Sequence, residues 1–170
     1  LIYSISRRLK RESLFKWIGV IVPANHSVFA LKSRKDIVIN ALEDMKSYTI
    51  GTILEDSKEA YLATQGFDIS TFERFGGDTA YSQLFVLLKE GRIDLWPMPN
   101  AVMNYVVREN NEDPEQIIKN VFKLEKMSSE GYYIAASLTT SDEIVNRLRK
   151  ALVEFKKTNA YADILKKWGL

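Results

Sequence analysis

The sequence predicts an α/β fold, and three observations predict it. Short runs of strand-forming residues alternate with stretches that are apolar at helical spacing, the links between them are short, and residues 131–170 form a strand followed by two helices. Alternation of strands and helices argues a parallel-type sheet. The chain has 170 residues, 46% hydrophobic and 27% charged, which suits a globular chain with one good core or two small lobes.

Residues 1–6 (LIYSIS) form a strand-like run with nothing before it to start a domain, so the sequence is expected to begin inside a fold. Arg7, Arg8, Lys10 and Arg11 make a basic cluster, and an apolar stretch from Phe15 to Val22 follows until Pro23 breaks it. Residues 27–32 are a short strand closed by a charged turn. After the passage 41–46 comes a second strand-like segment, 48–54. Asp56 then caps a helix, with Glu59 at capping-box spacing, and Gly66 ends it in the left-handed conformation that glycine adopts without steric cost.

Residues 71–75 are the next strand, Gly76 and Gly77 turn the chain, and Asp78 caps a helix whose Tyr81, Leu84, Phe85 and Leu88 share a face. Gly91 stops that helix, and residues 93–96 form a buried strand. Pro99 or Asn100 opens a further helix, Asp113 and Pro114 start a short one, and 121–125 returns as a strand. The closing segment is a strand at 131–137 and two helices. Thr140 caps the first of these with Glu143 three residues on, and its inward face is Ile144, Leu148, Ala151, Leu152 and Phe155. Asn159 caps the second, with Tyr161, Ile164, Leu165 and Trp168 inward, Lys166 and Lys167 complementing the dipole, and Gly169 at its end.

Several function classes find no support in these residues. The 24 basic and 22 acidic residues are dispersed, whereas a nucleic-acid surface would cluster its positive charge. With no cysteine and one histidine, His26, neither a thiolate site nor a zinc site can be assembled, and no metal or cofactor is expected. His26 stands among Pro, Ala, Asn and Ser and reads as a surface loop residue, and no nucleophile elbow, Walker loop or dinucleotide fingerprint occurs, so no catalytic residue is assigned. No signal peptide shows, and the longest apolar stretch, from Phe15 to Leu31, is interrupted by Lys16, Pro23, Asn25 and His26.

The order of pieces resembles the bacterial family 3 extracellular solute-binding proteins, the polar amino-acid receptors of ABC importers. The resemblance rests on four passages: Ser6, Arg7, Arg11 and the Phe15–Lys16–Trp17–Ile18–Gly19 run; the 42–51 passage ending in Ile50–Gly51; Leu88 to Leu95, LKEGRIDL; and the close NAYADILKKWG, 159–169. It departs from the family's Arg-Thr-x-x-Arg and Phe-Lys-Trp-Val-Gly-Pro patterns at Arg8, Lys10 and Val20. The resemblance implies a two-lobed periplasmic-binding-protein type II fold. Residues 1–22 and 131–170 would form lobe one, residues 27–127 an inserted and complete lobe two, and the two crossings the hinge. Lobe one would lack its opening strand, helix and strand, leaving apolar faces of the last two helices uncovered and open to self-association.

What the resemblance implies for function is the capture of a small polar solute, an amino acid or similar carboxylate, for an ABC permease in the membrane, with a periplasmic location. The ligand would stabilise a closed state in which both lobes touch it. Arg11 stands where the family's arginine pairs with the ligand carboxylate, and a guanidinium fork suits that group, although a solvated basic turn would use the same residue. Ser6 would add a hydroxyl. Glu55, Asp56 and Ser57 lie on the strand-to-helix turn that the second lobe presents to the ligand, where Asp56 also reads as a plain helix cap. The family's acidic residue for the α-amino group falls near Met98 to Asn100, where this chain has no carboxylate, so that charge would have to come from Glu55 or Asp56. Trp96 reads as core or as a ligand platform. Two alternatives stay open: the ligand-sensing ectodomain of a signalling receptor of the same fold, and a dehydratase of that fold using a carboxylate such as Glu55.

Overall fold

The computed structural model describes residues 1–7, 9–127, 129–168 and 170, so the expectations for Arg8 and for Gly169 as a helix stop lie outside the described residues. In chain order the strands and helices are β1 (Ile2–Ser6), β2 (Lys16–Ala24), β3 (His26–Leu31), β4 (Gly51–Ile53), α1 (Ser57–Thr64), β5 (Glu73–Phe75), α2 (Ala80–Lys89), β6 (Trp96–Pro99), α3 (Asn100–Glu109), α4 (Pro114–Ile117), β7 (Ile118–Lys123), β8 (Ser129–Ala136), α5 (Asp142–Phe155) and α6 (Asn159–Trp168). Short 3-10 turns stand at Leu9–Leu14, Leu42–Ser47 and Ile69–Thr71. The chain forms two compact units, 1–25 with 128–170, and 26–127.

In the first unit three antiparallel strands run in the order β1-β8-β2. Alternating side chains go to opposite faces. Ile5, Trp17, Tyr133 and Ala135 bury together on one side, while Ile18 and Ala136 meet Val145, Leu148 and Leu152 of α5 on the other. Gly19 permits this approach, because a Cβ there would stand 2.9 Å from a Leu152 methyl. Of α5 only Val145 is fully buried, and α6 buries no residue, although the Tyr161 hydroxyl donates to the Ile21 carbonyl at 2.7 Å. Ile144, Phe155 and Ile164, expected inward, are 48%, 42% and 40% exposed.

In the second unit β3 lies between β6 and β7, antiparallel to both, while β4 and β5 are parallel. A parallel bridge between Ile50 and Leu95 joins the two pieces. The sheet is therefore mixed, and the expected parallel-type arrangement holds only for its β5-β4-β6 side. Val28 and Ala30 of β3 face a core that includes Met45, Ile50, Leu62 and Leu95. Phe29 faces the opposite core, with Leu84, Phe85 and Leu88 of α2, Val107 of α3, and Trp96 and Met98 of β6. Burial on both faces explains why the central strand β3 is apolar from Val28 to Leu31, as in sheets covered by helices on both sides.

Several local expectations shift in register. Ser141, not Thr140, caps α5, accepting from the Ile144 N–H at 3.4 Å. Thr158 takes the capping role given to Asn159, its hydroxyl accepting from the Tyr161 N–H. The helix expected to be capped by Asp78 begins at Ala80 after Thr79, with no side-chain cap. The strand expected over 93–96 is β6, three residues later, despite Pro97 and Pro99. His26 is a buried residue of β3 paired with Pro99, not a surface loop residue.

Candidate ligand-binding residues

The parallel pairings fix which side chains share an edge in the second unit. β4, β5 and the segment from Leu95 into β6 run in one direction, so their carboxyl ends, Ile53, Phe75 and Pro99, lie at the same edge. Each then turns into a helix: 54–56 into α1, 76–79 into α2, and Pro99 directly into α3. The carboxyl edge of parallel strands is where open α/β sheets place ligands, because helix N-termini and adaptable turns converge there. Glu55, Asp56, Ser57 and Asn100 are thereby brought to one edge, and the turn 76–79 joins them.

The turn before α1 is tightly organised. Glu55 takes a left-handed backbone at φ 59°, unusual for a residue with a Cβ and worth roughly 1 kcal/mol of strain. Asp56 caps α1, accepting from the Lys58 and Glu59 N–H groups at 2.6 and 3.2 Å, and it also forms an ion pair with Lys58. With three donors on it, Asp56 is engaged within the turn, so its place as a ligand group yields to its structural one. Glu59 does not complete the expected capping box on Asp56. Its carboxylate accepts the Glu55 N–H at 3.1 Å and the Thr52 hydroxyl at 3.2 Å, and pairs bidentately with Arg74 of β5 at 2.7 and 2.8 Å. Hydrogen bonding from Arg74 holds the Glu59 carboxyl below its ordinary range, against the opposing effect of burial. The carboxylate of Glu55 is exposed and accepts no hydrogen bond among the described residues.

Asn100 opens α3 under Pro99, and its carbonyl accepts from the Asn104 side chain at 3.1 Å. Its own side-chain oxygen is buried with no hydrogen-bond partner among the described residues. Such orphaned acceptors are uncommon and call for an explanation. Trp96 is corrected to a core residue: it is fully buried and stacks on Phe85 with ring centres 6.0 Å apart, which leaves no face for a ligand.

In the first unit Ser6 ends β1 and Arg11 stands exposed on the following 3-10 turn, where its guanidinium donates to the Ser6 carbonyl at 3.3 Å. These two residues thus lie side by side. Beside them a hollow of about 480 Å³ is lined by Arg7, Glu12, Phe15, Lys16, Trp17 and Arg149, among others. Its charges are internally matched. Arg7 lies over the Trp17 and Tyr133 rings and pairs with Glu12, whose carboxyl it holds below the ordinary range. Lys16 pairs with Asp142 at 2.6 Å, and Arg149 donates twice to the Trp17 carbonyl. Among the described residues no group of three His, Asp or Glu forms a metal site, and no helix is long and apolar enough to cross a membrane.

No family model matches the sequence, and no curated protein matches it. Solved structures do. An ancestral arginine-binding protein bound to arginine is 26% identical, with a TM-score of 0.63 over 97% of this chain and 69% of that one. A substrate-binding domain from Streptococcus pneumoniae, assigned to an amino acid ABC transporter, gives a TM-score of 0.70 at 18% identity over 97% of this chain and 70% of that one. By fold, the chain is similar to these amino-acid-binding proteins. A histidine kinase sensor domain with similarity to periplasmic binding proteins has the same fold, at a TM-score of 0.64 and 21% identity over 96% of this chain and 67% of its own. The type II periplasmic-binding-protein fold is thus present, spanning about two thirds of these solved chains.

The residues that sequence reasoning missed are Glu59 as an anchor and Arg74 as its partner. They are fifteen positions apart on a helix and a strand, and no spacing rule connects them.

Proposed function

We propose that this chain is a non-catalytic solute-binding protein that captures an amino acid or similar small carboxylate at the periplasmic side of a membrane and delivers it to an ABC permease. The observation that carries the reading is the orphaned Asn100 oxygen at the carboxyl edge of the second unit. It stands where the resemblance expects the group that holds an α-amino function, and an ammonium donor would satisfy it. The exposed Glu55 carboxylate adds the negative charge that Asn100 lacks. In the first unit, taken by itself, the exposed Arg11 guanidinium with Ser6 beside it offers a fork suited to a carboxylate. The likeness to an arginine-binding protein at 26% identity supports an amino-acid ligand.

The test is a thermal-shift and calorimetric screen with L-arginine, L-glutamine, other amino acids and the corresponding amines and carboxylates lacking one of the two groups. A ligand that favours the native state raises its apparent stability by mass action, by about 2.7 kcal/mol at one hundred times Kd. Stabilisation by an amino acid, and not by its amine-free or carboxylate-free analogue, is the expected result. The sensor-domain neighbour makes a signalling ectodomain the second reading; it would share this capture step and differ in being fused to a membrane helix and kinase. Product accumulating beyond one equivalent of protein would overturn the non-catalytic reading.

A further inference from the structure

We infer that the buried Glu59–Arg74 pair is a positioning device that sets the ligand-facing turn 54–57 before any ligand arrives, an inference that rests on the solute-binding reading. The Glu59 carboxylate is 3% exposed as a residue, and all four of its contacts run to different places in the fold. It stands in the first turn of α1, takes the Thr52 hydroxyl from β4, the Glu55 N–H from the turn, and two guanidinium N–H groups from Arg74 of β5. One side chain therefore ties the end of one strand, its neighbour and the helix start to the single residue, Glu55, whose backbone is left-handed.

The geometry separates this from simple packing. The Glu55 N–H is held by a carboxylate oxygen that is itself fixed by a planar bidentate contact, so the turn cannot relax to an ordinary conformation without breaking that set. A side chain that only filled space would have no reason to spend its oxygens on the turn. Holding the turn in advance removes the cost of ordering it on binding, the usual benefit of a preorganised site. Arg74 thus acts through Glu59, and neither touches ligand.

The experiment uses the whole chain in three variants, Glu59→Gln, Arg74→Met and Arg74→Lys, with L-arginine and L-glutamine as probes. Amide hydrogen exchange in the ligand-free protein reads the turn, and calorimetry reads binding. The expected result is at least tenfold faster exchange at the Glu55 amide in Glu59→Gln and Arg74→Met, with the later amides of α1 unchanged. Binding of the probe that the wild type takes should weaken at least tenfold, and Arg74→Lys should recover part of both effects. Faster exchange at Glu55 with unaltered affinity would overturn the positioning role while leaving the binding reading intact. Unaltered exchange at Glu55 would overturn it as well, whatever the affinity. A wild type that binds neither these probes nor any amino acid would overturn the binding reading itself, and the positioning role with it.

Discussion

Replacing Asp56 by Ala removes two different things, and the structure lets them be separated. The first is the cap of α1: two N–H groups, of Lys58 and Glu59, lose their acceptor, which costs about 1 kcal/mol. The second is the partner of Lys58, whose side chain is only 7% exposed, so its ammonium would be left charged and poorly solvated. Removing one member of a buried pair costs about 3–5 kcal/mol, most of it from the stranded charge. Asp56→Ala should therefore lower stability by about 4 kcal/mol. Lys58→Met by itself strands nothing, because Asp56 keeps both backbone donors, and should cost under about 1 kcal/mol. In the double variant only the cap is missing, so the loss should fall back to about 1–2 kcal/mol. The cycle of four proteins would then give a coupling of about 3 kcal/mol, measured by urea unfolding followed by circular dichroism and tryptophan emission. A coupling near zero, with Asp56→Ala costing no more than a cap, would refute the reasoning, because it would mean that Lys58 reaches water as soon as its partner is gone.

Arg11→Ala should abolish amino-acid-dependent stabilisation while barely changing the melting point of the ligand-free protein, since Arg11 is exposed and makes one long bond to the Ser6 carbonyl; equal loss of both would mark a structural arginine. Glu59 has a folded-state pKa below its ordinary 4.5, so its contribution is present above that pH and is lost as pH falls through the folded value. Acid titration of stability should accordingly show a limb below about pH 4.5 that is shallower in Glu59→Gln, and identical limbs would contradict the pairing. Gly131→Ala should destabilise the first unit by about 3 kcal/mol or more, because Gly131 has φ 152° and a Cβ there would lie 2.4 Å from the Val22 carbonyl oxygen; a soluble variant with unchanged unfolding would argue against this β8 geometry.

Local chemistry in the sequence was enough to find most elements. Gly66 and Gly91 do end α1 and α2, at φ 79° and 69°, because few other residues adopt that backbone cheaply. Leu84, Phe85 and Leu88 share a buried face because helical spacing leaves them no other arrangement. Of the passages that carry the family resemblance, Leu88 to Leu95 starts on the end of α2, and the turn of Glu55, Asp56 and Ser57 was visible as the start of a helix. What tertiary structure decided was pairing and depth. Strand direction depends on which segments meet across the chain, so the mixed sheet of the second unit and the antiparallel one of the first are not written in any single stretch. His26 reads as a surface loop residue, and Trp96 as core or ligand platform, until β3 and β6 pair and close over them. Glu59 is an ordinary capping-box residue by spacing. Only the parallel pairing of β4 with β5, which sets Thr52 opposite Arg74, places a guanidinium against its carboxylate and turns a helix cap into the anchor of the candidate site.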